Sequence, residues 1–119
     1  MADKKTTPAP GSTTIAPEVL VNLARLTTLS VEGVSRMAQT PGAFKQWAKP
    51  RTVVEGVEVE ISNAHVDLDI YVILESGTNL RQVSREIQHE VSRALTEMVG
   101  MPAGRINIHI EDIDFPTAN

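Results

Sequence analysis

Carboxylates and a histidine recur at two-residue spacing through the C-terminal half of the chain. Glu58 and Glu60 alternate with valines. Asp67, Asp69 and Tyr71 alternate with Leu68 and Ile70, and Asn107, His109 and Glu111 alternate with isoleucines. Alternate residues of a strand share a face, so these side chains are expected together on one surface of a sheet. Carboxylates beside a histidine can bind a hard cation through oxygen or work as a general acid–base pair. The competing reading is that a half-exposed sheet turns polar side chains outward whatever its function. Glu58, Glu60, Asp67, Asp69, Tyr71 and His109 are the candidate contact residues of this outer face.

A second group is continuous in sequence. Phe44-Lys45-Gln46-Trp47-Ala48-Lys49-Pro50-Arg51 places two of the four aromatic residues beside three cations. Trp with Arg is the composition of an interface hot spot, and Trp flanked by Lys also suits a membrane surface. Alternatively Phe44 and Trp47 fold back as a lid on the core, with the lysines in water. Phe44, Lys45, Trp47, Lys49 and Arg51 are therefore candidate partner-binding residues.

Other chemistry is thinly represented. With no cysteine there is no disulfide framework, thiolate nucleophile or cysteine-ligated zinc. His65, His89 and His109 lack the close spacing of a zinc site and are expected at the surface. No serine occupies a Gly-x-Ser-x-Gly elbow, and no glycine-rich phosphate loop is present. The expectation is a protein that is not an enzyme, with no catalytic, cofactor-binding or metal-binding residues. Net charge is −4, unevenly placed: residues 1–52 carry seven basic and three acidic side chains, residues 53–119 four and twelve. Such an acidic body repels phosphate, which argues against nucleic acid as a partner. KH-type RNA binding would further need a Gly-x-x-Gly loop on a basic surface.

The elements that position these residues follow from hydropathy. A chain of 119 residues is one domain. Residues 1–14 are polar and rich in Pro and Thr, and are expected to be a disordered tail. Residues 15–115 form the domain and 116–119 a C-terminal tail. Pro17 suits the first helical position, and Val19, Leu20, Leu23, Ala24, Leu26 and Thr27 make the apolar stripe of a helix ending near Ser30. Val34 to Ala38 is expected as a short strand, and 39–52 as a loop punctuated by proline and glycine. Val53 to Ser62 and His65 to Leu74 read as a hairpin. Asn79 opens a second helix whose stripe is Leu80, Val83, Ile87, Val91, Ala94 or Leu95, and Met98, ended by Gly100 and Pro102. Ile106, Ile108 and Ile110 face inward on a last strand, with a bulge near Glu111-Asp112. The order α-β-β-β-α-β builds an α+β two-layer sandwich, two helices on one face of a small mixed sheet of three to four strands. The inner face takes Val57, Val59, Ile61, Leu68, Ile70, Val72 and the three isoleucines. No apolar run approaches the roughly 20 residues of a membrane span, and no signal peptide opens the chain, so a soluble intracellular protein is expected.

The ordered set of segments resembles the bacterial alkaline-shock, or general-stress (Gls-type), cell-envelope protein family. The segments are Ile15-Ala16-Pro17-Glu18-Val19-Leu20, Val31-Glu32-Gly33-Val34, Gly56-Val57-Glu58-Val59 and Val66-Asp67-Leu68-Asp69-Ile70-Tyr71-Val72. Gly77, Asn79-Leu80, Val83, Ile87-Gln88, Val91, Met98-Val99-Gly100 and Ile106-Asn107-Ile108-His109-Ile110 complete it. The likeness covers about residues 15–113. The family often has Ser or Thr where Ala16 stands, and a glycine-rich middle segment where residues 39–52 carry the Phe44/Trp47 cluster. The resemblance implies a non-enzymatic cytoplasmic interaction or scaffold protein tied to cell-envelope homeostasis or stress. It implies protein partners, including a membrane-anchored one in some members, self-association, and no catalytic residues. A small-ligand or metal-binding domain using the acidic face is the alternative.

Overall fold

The computed structural model describes residues 15–39, 52–54, 56–62 and 65–116. Helix α1 is Pro17–Leu29, followed by strands β1 (Val34–Met37), β2 (Thr52–Val54), β3 (Val57–Ile61) and β4 (Val66–Glu75). Helix α2 (Leu80–Ala94) runs into a π-helical turn over Leu95–Val99, and β5 (Ala103–Asp114) closes the order. Ala16 gives α1 no side-chain cap, so Pro17 and the acidic Glu18 carry its start. Asn79 caps α2, its Oδ1 accepting from the Gln82 backbone N–H at 3.0 Å.

The ten residues of β4 organise the sheet. Along one side β5 lies parallel to it from Val66 to Glu75. The other side is shared by two antiparallel strands: β3 takes Val66 to Ile70 and β1 takes Val72 to Leu74. β2 then pairs with β3. The sheet is mixed, the helices supply the second layer, and the α+β sandwich stands as expected. Among the described residues it has five strands rather than three to four, because the stretch expected as one strand from Val53 to Ser62 folds back on itself. Val54 lies opposite Val57, and Gly56 between them has φ 80°, a backbone region that L side chains rarely adopt.

The core lies between the layers. Val57, Val59, Leu68, Ile70 and Val72 are buried as alternation predicts, joined by Val66 and Leu74. Ile106, Ile108 and Ile110 are partly buried against this cluster. Ile61 keeps the inward parity but sits at the end of β3 and is 44% exposed. Alternation fixes which way a side chain points, not whether anything lies over it.

The helices correct the expected stripes. α1 buries Leu20, Val21, Ala24 and Thr28, whereas Val19 and Leu26 are exposed. Apolar residues surround most of this helix, so three- and four-residue spacing admits more than one face. In α2, Val83, Ile87 and Val91 are buried, as is Leu95 at the start of the π turn, but Met98 in that turn is 72% exposed. The π turn fits an extra residue into each turn, which carries Met98 off the stripe; Gly100 N–H closes that turn by donating to the Leu95 carbonyl at 2.9 Å.

These assignments give two expected outcomes. Leu20→Ala should cost about 2–5 kcal/mol, as core truncations do, while Leu26→Ala stays within about 0.5 kcal/mol; urea denaturation of both variants separates the two faces. Among the described residues, the buried Thr28 hydroxyl has no hydrogen-bond partner. Thr28→Val keeps its shape and removes an unsatisfied polar group, and should raise stability by about 1 kcal/mol. A lower urea midpoint for that variant would contradict the assignment.

Candidate functional site

The outer face of the sheet gathers the polar residues of β3, β4 and β5. Register places Glu58 opposite Asp69 and Glu60 opposite Asp67. On the other side of β4, Asn107 stands beside Asp69 and His109 beside Tyr71. Asp69 is the centre of this group. Its Oδ1 accepts from Asn107 Nδ2 at 3.1 Å and from His109 Nε2 at 2.9 Å. The His109 ring stacks on Tyr71, with centroids 4.4 Å apart and planes 13° from parallel. The stack fixes the imidazole plane, and the carboxylate fixes which nitrogen carries the proton.

Asp67 forms a separate group nearer the start of β4. Its Oδ1 accepts the backbone N–H of Arg105 at 2.7 Å, and its Oδ2 lies 3.7 Å from His65 Nε2. A methyl group at Gly104 would collide with both the Asp67 carboxylate and the His65 ring. The glycine therefore allows β5 to approach this acid closely.

Thus the structure brings Asp69, Tyr71 and His109 together, sets Asp67 apart, and aligns Glu58 and Glu60 with the two aspartates across the β3–β4 pair. Glu58 points outward by parity yet is only 3% exposed. Among the described residues, no group of three or more His, Asp or Glu side chains is arranged to hold a metal. Phe44, Lys45, Trp47, Lys49 and Arg51, and so the choice between contact segment and core lid, lie outside the described residues.

One cluster escaped the sequence reading. At the far end of β4, Asp114 Oδ2 accepts from Ser35 Oγ at 2.5 Å and from Arg36 Nε at 3.0 Å, while its Oδ1 accepts from Arg36 Nη2 at 3.2 Å. β4 lies between these partners, so the bridge crosses the sheet over Ile73, which pairs with Arg36 on one side and Asp112 on the other. That accounts for an outward-pointing isoleucine being 7% exposed. Contacts 78 and 79 residues apart leave no local signature. Beside the cluster, Glu75, Ser76, Asp114, Phe115 and Pro116 line an open cavity of about 370 Å³.

The fold and this face define a small two-layer α+β module with an acidic, internally paired outer surface. The alkaline shock protein 23 family, described as having a cell envelope-related function, matches over residues 5–115, and the chain belongs to it, which bears out the alkaline-shock resemblance. It is 28% identical over 109 residues to the uncharacterized protein YqhY of Bacillus subtilis (strain 168), covering 90% of this chain and 80% of that one. It is 33% identical over 105 residues to the uncharacterized protein Spy1535 of Streptococcus pyogenes serotype M6, covering 87% and 79%. The uncharacterized protein YloU of Bacillus subtilis (strain 168) is 22% identical over 106 residues, covering 87% and 88%. No solved structure matches the chain. Among the described residues, no helix is long and apolar enough to cross a membrane.

The Arg36–Asp114 bridge predicts a pH response. The hydrogen bond from Arg36, then that from Ser35, holds the Asp114 carboxyl below its ordinary pKa, and the same hydrogen bond holds Arg36 above its own. A depressed carboxyl pKa stabilises the fold above the unfolded-state value, about 3.9, and that contribution is lost as pH falls through the lower folded value. Arg36→Met should lower the melting temperature slightly near neutral pH, since the pair is exposed. The gap to wild type should close in acid and in high salt. Thermal melts in which the gap widens on acidification would contradict the bridge.

Proposed function

We propose that this chain is a non-enzymatic contact module of the alkaline-shock family, working in the cytoplasm at the cell envelope through protein–protein contacts. In this reading it acts as a scaffold, and a membrane-anchored partner brings it to the membrane. The single observation that supports it most is how the outer-face polar groups are used. Asp69 holds Asn107 and His109, Asp67 holds the Arg105 backbone, and Tyr71 stacks on His109. These side chains brace one another into a fixed surface pattern instead of converging on a cavity. A rigid, pre-organised polar surface is what a specific protein contact uses, because little side-chain entropy remains to be lost on binding.

The outer face is one contact surface in this reading. The Phe44–Arg51 segment, with Trp and Arg in its sequence, is the other. Affinity capture from a native lysate tests both, using wild type, Trp47→Ala and His109→Ala at matched melting temperature. Loss of a captured protein by either variant is the expected result. Identical captured sets from all three would sink the reading at these two surfaces.

A further inference from the structure

β5 is an outer strand: among the described residues only β4 pairs with it. From Ile106 to Ile110 that pairing is unbroken, and an irregularity flanks each end. The Ile106 carbonyl accepts from Gln88 Nε2 at 2.9 Å, so it points away from β4. Backbone polar groups alternate sides along a strand, so Ile106, Ile108 and Ile110 present N–H and C=O groups at the open edge.

The side chains along this edge are symmetric about Ile108. Asn107 and His109 flank it, then Ile106 and Ile110, then Arg105 and Glu111. Arg105 and Glu111 are exposed and stand just beyond the two ends of the regular segment.

We propose that β5 pairs antiparallel with β5 of a second copy of this chain, with the two-fold axis at Ile108. This names a partner for the contact-module reading and rests on it. In that register Ile108 exchanges both backbone hydrogen bonds with its counterpart, and Ile106 does so with Ile110 of the second copy. Arg105 meets Glu111 of the second copy, and symmetry supplies the reciprocal pair. A parallel arrangement would instead set Arg105 beside Arg105 and Glu111 beside Glu111. The two sheets join into one, with both helix layers on the same face, and the half-buried isoleucines gain cover. In the single chain Gln88 caps the Ile106 carbonyl, and strand pairing displaces it.

Sedimentation of the full chain over a concentration series tests this. The wild type should dimerise. Arg105→Glu and Glu111→Arg should each weaken the dimer about ten-fold, since both pairs become like-charged, and the double variant R105E/E111R should recover wild-type affinity. Both positions are exposed, so circular dichroism melts at concentrations low enough for every chain to be monomeric should stay at the wild-type value. A wild-type chain that is monomeric throughout overturns the inference. So does a dimer indifferent to the single changes, or a double variant as weak as the singles. None of these outcomes touches the lysate capture result, so the strand pairing can fail while the contact-module reading stands.

Discussion

The register of β4 is the constraint on which the rest depends. Val66, Leu68, Ile70, Val72 and Leu74 all point inward and are fully buried. Each is worth about 1.5–3 kcal/mol of burial, so together they exceed the net stability of a small domain at the lower end of its usual range. A slip of one residue would turn Asp67 and Asp69 into the core and these five into water. No competing register survives that exchange. Among the described residues three strands hydrogen-bond directly to β4, and β2 is reached through β3, so a single strand fixes the position of the outer-face side chains.

The outer face inherits its order from this arrangement. β4 meets β3 on one side and β5 on the other, so Asp69 has Glu58 on its left and Asn107 on its right. Like charges directly opposite destabilise a sheet, and the Glu58–Asp69 and Glu60–Asp67 pairs are both of this kind. The donors lie on β5: Asn107, His109 and the Arg105 backbone. The parallel strand therefore does more than extend the sheet. It supplies hydrogen-bond donors to aspartates that face glutamates on the opposite edge.

How much of this could be read from sequence depended on the range of the interaction. Strand alternation gave β4, the β3–β4 hairpin and the outer-face set, because period two is a local property. The split at Gly56 lies outside that alternation: a glycine inside a strand pattern can mark a turn, but only the pairing of Val54 with Val57 shows that it does so here. α1 was harder, since Val19, Leu20, Val21, Leu23, Ala24, Leu26 and Leu29 leave little of its circumference polar. Which of them is buried is decided by the sheet and not by the helix. The Ser35–Arg36–Asp114 cluster was invisible for a different reason. It forms only because β1 and β5 flank the same end of β4.

Glu58 and Ile61 together show why parity alone does not define a functional surface. Glu58 points outward and is buried, while Ile61 points inward and is exposed. Both lie on β3, three residues apart. The outer-face acids are accordingly not equivalent solvent-facing charges. Asp69 is tied to two side chains and Asp67 to a backbone amide, and Glu58 has little contact with water. The Tyr71–His109 stack and the outer side of β5 flank the central carboxylates on this surface. In the contact-module reading proposed above, recognition at this face would depend on β5, the strand whose donors hold the acids and whose far edge has no partner strand among the described residues.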